Sequence, residues 1–299
     1  MMLPRRPRAA AERLLGVSAV RTARRVVQAY GDAGGGLLAG GLTYSALFAL
    51  LPSLLLLTAV LGFIVGDPVR RAAIVAGIGQ ALPPLEGLVA TSLDKITQGA
   101  AASGTLGLIG LAWGASRFYG SLDDAFGRIF RDAPRRGFVA RTVRGVLSVV
   151  LLVSAFLAAL VLTGIASYLA ERTASRFGDT GTAAFWQFVS PTLAAVVFVA
   201  ASALIYRAVP ARHVPWSAIH MPALVVGIGL MLLTQLFSLI APRLIGVASV
   251  YGTFVAIFAA MVWLSTGFQI LLLGAAWVAD RVNVSVAAAA QPNPPAQTR

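Results

Sequence analysis

Residues 217–242 read SAIHMPALVVGIGLMLLTQLFSLIAP, and residues 247–279 read VASVYGTFVAIFAAMVWLSTGFQILLLGAAWVA. Neither run contains an aspartate, glutamate, lysine or arginine. A helix rises about 1.5 Å per residue, so crossing about 30 Å of hydrocarbon takes roughly 20 apolar residues, and each run is long enough. Outward from this pair, similar regions occur at 36–65, 145–170 and 187–209, with a shorter, glycine-rich one at 103–118. That last region must borrow residues from 96–102 or sit surrounded by other helices. The six regions predict an all-α integral membrane protein with six transmembrane helices plus amphipathic interfacial helices. The whole chain agrees, being 58% hydrophobic and 12% charged with mean hydropathy +0.82, whereas a soluble domain carries about 25% charged residues.

The connectors orient the bundle. Segments 1–35 and 117–144 each hold seven arginines, and with Arg207, Arg212, Arg281 and Arg299 they place 18 of the 24 basic residues on one side. The other six are Arg70, Arg71, Lys95, Arg172, Arg176 and Arg243. Cytoplasmic loops carry the excess of basic residues, so both termini of a multi-pass protein are expected in the cytoplasm. A reporter after Arg136 is then cytoplasmic and one near Glu86 external. A net charge of +13 also fits a nucleic-acid footprint. Its concentration at the cytoplasmic ends of spans fits anionic lipid headgroups better, with Arg128, Arg131, Arg135 and Arg136 as the headgroup contacts, and no nucleic-acid partner is expected. There is no cysteine, which excludes disulfides and thiolate chemistry. A cleavable signal peptide is not expected, because the basic leader is long and the first apolar run exceeds the usual h-region.

Residues 1–35 are expected to form a cytoplasmic basic leader, either an interfacial helix carrying its valines and leucines or a floppy, charge-anchored tail. The six-span domain covers 36–282. An outer helical hairpin is expected at about 67–102, broken at Pro83 and Pro84. A cytoplasmic interfacial helix is expected at about 117–135, with Phe118, Leu122, Phe126, Ile129 and Phe130 on its apolar face. Pro222 and Pro242 bracket the fifth span, and residues 283–299 are expected to be disordered. No internal repeat is evident, which removes the strongest pointer to an inverted-repeat transporter.

Tunable chemical groups are scarce. No acid or base lies deep in any span, which argues against proton coupling through a buried carboxylate. His213 and His220 lack further ligands at metal spacing; no metal or other cofactor is expected. Gly34, Gly36 and Ala39 match a dinucleotide-binding pattern only formally, since a span follows them and no strand precedes. Hydroxyl and amide groups do lie at depth. Tyr44, Ser45, Pro52, Ser116, Arg117, Gln235, Tyr251 and Gln269 are the candidate interior polar or cavity residues. One reading makes such groups a polar cavity around Tyr44, Gln235 and Gln269; the other makes them ordinary helix-packing groups.

Four strings carry a resemblance: GGLTYSALFALLPSLLLLTAVLG in the first span, WGASRFYGSLDDAFGRIF after the second, IYRAVP followed by VPWSA, and SVYGTF followed by VWLSTGFQILLLGA. In this order and spacing the chain resembles the YihY/BrkB family of bacterial inner-membrane proteins over about residues 20–282. The resemblance implies six spans, cytoplasmic termini and a link to serum resistance and envelope lipid traffic. The family's pattern places an acid just after the final Gly-Ala, whereas this chain reads Gly274, Ala275, Ala276, Trp277; Asp280 is the nearest substitute. A ribonuclease label has been attached to the family. Metal-dependent RNA cleavage needs clustered carboxylates or histidines, and here the acids are scattered over connectors, so no enzyme activity is expected. The expected function is transport or flipping of a lipid or other amphiphile for envelope biogenesis. The alternative is a non-transporting scaffold that binds an envelope protein partner.

Overall fold

The computed structural model describes residues 18–64, 100–131, 179–251 and 253–289. They form α1 (Ser18–Asp32), α2 (Gly35–Ile64), α3 (Ala100–Ile129), α4 (Asp179–Ala208), α5 (Trp216–Tyr251) and α6 (Thr253–Ala289). Among the described residues there is no strand. The expected third span at 145–170, the outer hairpin up to residue 99, and Arg135 and Arg136 lie outside the described residues.

Helix α6 organises the rest. It packs on each of the other five helices, most broadly on α5 and α2, while α2 pairs with α3 and α4 with α5. The buried core gathers at one end of the bundle. It draws Ala39 and Leu42 from the start of α2, Phe126 from the end of α3 and Phe130 from the turn just after it. Tyr206 comes from the end of α4, Ile219 from the start of α5, and Leu272 and Ala276 from late in α6. Val26, Ala29, Tyr30 and Ala33 of α1 and the turn after it close this end at i, i+3, i+4 and i+7, one apolar stripe of a helix.

The basic connectors meet at the same end. Arg25 grips Asp280 through Nε (2.8 Å) and Nη2 (3.1 Å), and Arg131 donates to Asp32 (2.8 Å). Arg212 donates to the Asn283 side chain (3.1 Å), and Arg281 to the Ser217 carbonyl (2.8 Å). Segments that the charge count assigned to one side are therefore in direct contact.

Away from that end the apolar side chains point outward. Leu224, Val225, Ile228, Leu232, Leu236 and Leu239 of α5 are all exposed. Trp216–Ile240 and Ile257–Val286 are each long and apolar enough to cross a membrane, yet only 22% of the most apolar part of each is buried. Core helices of a soluble protein bury such surface, since leaving it in water costs about 25 cal/mol per Å². Shorter apolar stretches lie at Gly35–Ala49 and Thr192–Ala208.

Glycine sets the closest approaches. A Cβ on Gly114 would lie 2.7 Å from the Ala49 Cα and 2.8 Å from the Phe48 carbonyl oxygen, so α3 touches the α2 backbone directly. A Cβ on Gly227 would lie 2.6 Å from the Val199 Cα, which does the same for α5 and α4. Pro52 lies within α2 and has no N–H, so it cannot donate to the carbonyl of residue 48 one turn earlier. That is the carbonyl facing Gly114.

The helices ignore several expected boundaries. Region 103–118 and the first part of 117–135 are one continuous helix, α3. Its stripe of Leu122, Phe126, Ile129 and Phe130 is buried against the protein, not turned to headgroups, with the Phe126 ring 6.2 Å from that of Tyr206 on α4. Arg131 ends it with φ 48, a left-handed conformation that costs a non-glycine residue roughly 1 kcal/mol. Pro222 and Pro242 lie inside α5, which continues through Arg243 to Tyr251; backbone hydrogen bonding follows the helix beyond the hydrocarbon limits. Helix α6 runs to Ala289, so residues 283–289 are helical where disorder was expected, favoured by their alanines.

Candidate functional site

A cavity of about 490 Å³ lies between α2 and α3. Helix α2 contributes Gly41, Tyr44, Ser45 and Phe48. Helix α3 contributes Trp113, Ser116, Arg117, Gly120, Ser121 and Asp124, spaced as one face of a continuous helix. The approach at Gly114 closes the back of this face, and the missing side chains at Gly41 and Gly120 leave it hollow.

The floor is a hydroxyl pair. Ser45 and Ser121 lie 2.8 Å apart across the two helices. Ser45 also lies 2.9 Å from the Gly41 carbonyl and Ser121 3.1 Å from the Arg117 carbonyl. Each hydroxyl has one proton, so when either serine donates across the pair, only its partner can donate to its own helix. One wall is aromatic, with Tyr44 and Phe48 centroids 4.7 Å apart and Phe48 and Trp113 6.1 Å apart, edge-on. The Arg117 guanidinium sits 5.7 Å from the Trp113 centroid, within cation–π range. Tyr44 is 62% and Trp113 56% exposed, so the cavity opens sideways out of the bundle. Along α3, exposed Ile109 and Trp113 give way over the next three turns to exposed Ser116, Arg117 and Asp124, so the mouth spans a change from apolar to polar surroundings.

Of the residues singled out from sequence, Tyr44, Ser45, Ser116 and Arg117 meet here. Gln235 and Gln269 do not line this cavity. Both are exposed, and Gln269 donates weakly to Ser265 one turn back (3.4 Å). Pro52 and Tyr251 lie in α2 and α5. Arg128 is exposed and Arg131 is held by Asp32. His213 lies 3.2 Å from Arg207, and His220 contacts the Trp216 carbonyl at 3.0 Å. Sequence reasoning missed Phe48, Ser121 and Asp124. The signal was present, since 113, 116, 117, 120, 121 and 124 form one helical stripe, but dividing the chain at 117 split the stripe between two elements.

The packed end holds a second polar feature. Asp280 follows buried Ala276 by one turn of α6 and carries the carboxylate that receives Arg25. Its hydrogen bond and charge hold the Arg25 guanidinium above its usual range, and partial burial pushes the Tyr30 phenol up.

Apolar helices with outward-facing leucines, a polar cavity between two of them and a charged, packed end define an all-helical membrane protein. The chain belongs to the virulence factor BrkB family, whose model matches residues 26–298. It is 29% identical over 276 residues to a UPF0761 membrane protein of Chromohalobacter salexigens, a match covering 88% of this chain and 64% of that protein. It is 27% identical over 256 residues to a UPF0761 membrane protein of Rhodospirillum rubrum, covering 84% of this chain and 56% of that one. The chain thus spans less than two thirds of the length of either relative. No solved structure matches it significantly.

Proposed function

We propose that this chain is a six-span, non-enzymatic inner-membrane protein that carries a lipid or other amphiphile between leaflets, using the cavity between α2 and α3 as the headgroup site. The cavity is the observation that carries the reading. It joins ionic, hydroxyl and aromatic groups in one sideways-opening space, and its volume falls within the roughly 300–1,000 Å³ typical of small-molecule sites. A headgroup entering from the bilayer keeps its acyl chains outside, among exposed residues such as Ile109. The end bearing Arg25, Arg131, Arg212 and Arg281 is the cytoplasmic one under the positive-inside rule.

The test is translocation of fluorescently labelled phospholipid in proteoliposomes. Protein-dependent movement, reduced at least about tenfold by Arg117→Gln through loss of a charge-assisted contact, is the expected result. The scaffolding alternative draws on the densely packed cytoplasmic end. It gains if purified protein moves no lipid and Arg117→Gln leaves envelope integrity unchanged in cells.

A further inference from the structure

We infer that the α2–α3 cavity selects a zwitterionic phospholipid headgroup over an anionic one, with Arg117 on the phosphate and Asp124 on the amine. The inference rests on the amphiphile-binding reading above and names its substrate class.

Among the described residues, the lining carries one cation and one carboxylate, Arg117 and Asp124. A phosphate alone satisfies the arginine but brings negative charge toward Asp124; a headgroup with both a phosphate and an ammonium compensates each wall charge. Like charges sharing a partly desolvated site repel far more than in bulk water. Geometry keeps the two wall charges apart. Residues 117 and 124 lie on one face of α3, separated by about 10 Å along the axis at 1.5 Å per residue, so they address opposite ends of a dipolar group.

Arg117 is positioned for phosphate. Its guanidinium lies 5.7 Å from the Trp113 ring centroid, at the cavity wall, and arginine is the side chain that makes a two-pronged contact with phosphate. Asp124 already interacts within the protein. A carboxylate offers about four acceptor directions, more than one contact uses, so an ammonium has a direction from which to donate. Exposed Tyr44 beside Phe48 supplies an aromatic face for the remaining cationic or methylene surface. The polarity gradient along α3 puts Asp124 nearer the charged end of the bundle and Trp113 nearer the apolar zone, the order in which the amine and glycerol parts of a phospholipid lie.

Titration calorimetry on the full chain in detergent tests this with dihexanoyl phosphatidylethanolamine and dihexanoyl phosphatidylglycerol as probes. The expected result is that phosphatidylethanolamine binds about tenfold more tightly. Asp124→Asn abolishes that preference, Asp124→Glu keeps it, and Arg117→Gln weakens both lipids. Equal or tighter binding of phosphatidylglycerol overturns the inference, as does a preference that survives Asp124→Asn, or no heat with either lipid. Failure of the transport reading is separately visible. If the preference appears but proteoliposomes translocate neither lipid, the site stands and transport falls; if phosphatidylglycerol is moved and preferentially bound, transport stands and this selectivity falls.

Discussion

Tyr206 is the largest fully buried side chain among the described residues, and its hydroxyl donates to the Leu271 carbonyl at 2.8 Å. That bond ties α4 to α6 across the core, and the room for it exists because residue 274 is glycine. A methyl at 274 would collide with the Tyr206 hydroxyl and the Val226 side chain. Tyr206→Phe removes one buried hydrogen bond and is expected to lower unfolding stability in detergent by about 1 kcal/mol. Gly274→Ala overpacks the same spot and should cost about 1–3 kcal/mol. The two changes share an atom, so the double variant should be less destabilised than the sum, because removing the hydroxyl vacates the space the methyl needs. Additive losses would show that the two helices adjust independently. Tyr206 and Gly274 both stand in the strings that carry the family resemblance, but their partnership crosses 68 positions of sequence and no local pattern reports it. The same holds for Asp280, whose role as the Arg25 partner depends on α1 folding back onto the end of α6.

At the level of elements, α2 and α3 form the pair on which the cavity depends. Their contact combines a proline that cannot donate to the residue 48 carbonyl of α2 with a glycine that lets α3 approach that carbonyl closely. Gly114→Ala forces the backbones apart, and backbone atoms yield less readily than side chains. It should destabilise the protein by about 1–3 kcal/mol and weaken cavity binding with it, whereas Ala115→Gly on the neighbouring face should cost no more than about 1 kcal/mol of helix propensity. Comparing the two by thermal unfolding separates close packing from helix propensity. The existence of α2, α4, α5 and α6 was readable from apolar run length, because a span must satisfy its backbone internally and so must be helical. Their limits were not, since prolines and isolated charges mark hydrocarbon boundaries and do not stop a helix. The aromatic stripe ending α3 was correctly periodic, but periodicity says only that one face is apolar. Whether lipid or protein covers that face depends on neighbours remote in sequence.

Across the whole molecule, charge and apolar surface divide the labour. The arginine-bearing ends of the helices meet in one packed, ion-paired cluster, and the cavity opens where exposed apolar surface gives way to polar surface. The charge asymmetry made the grouping of connectors legible from sequence alone. The pairing of α2 with α3, and hence the site, was only half legible: Tyr44, Ser45, Ser116 and Arg117 stood out as polar groups near apolar runs, while Gln235 and Gln269 stood out for the same reason and face elsewhere. Polarity at depth marks a residue as unusual, and only packing decides what it faces. The measurement that bears most directly on the proposed lipid site is photo-crosslinking of a headgroup-labelled, photoactivatable phospholipid to the purified protein, with adducts mapped by peptide mass spectrometry. The account predicts adducts concentrated in residues 41–48 and 113–124 and lost in Arg117→Gln. Adducts confined to the outward face of α5, around Leu224 to Leu239, and unchanged in that variant would contradict it.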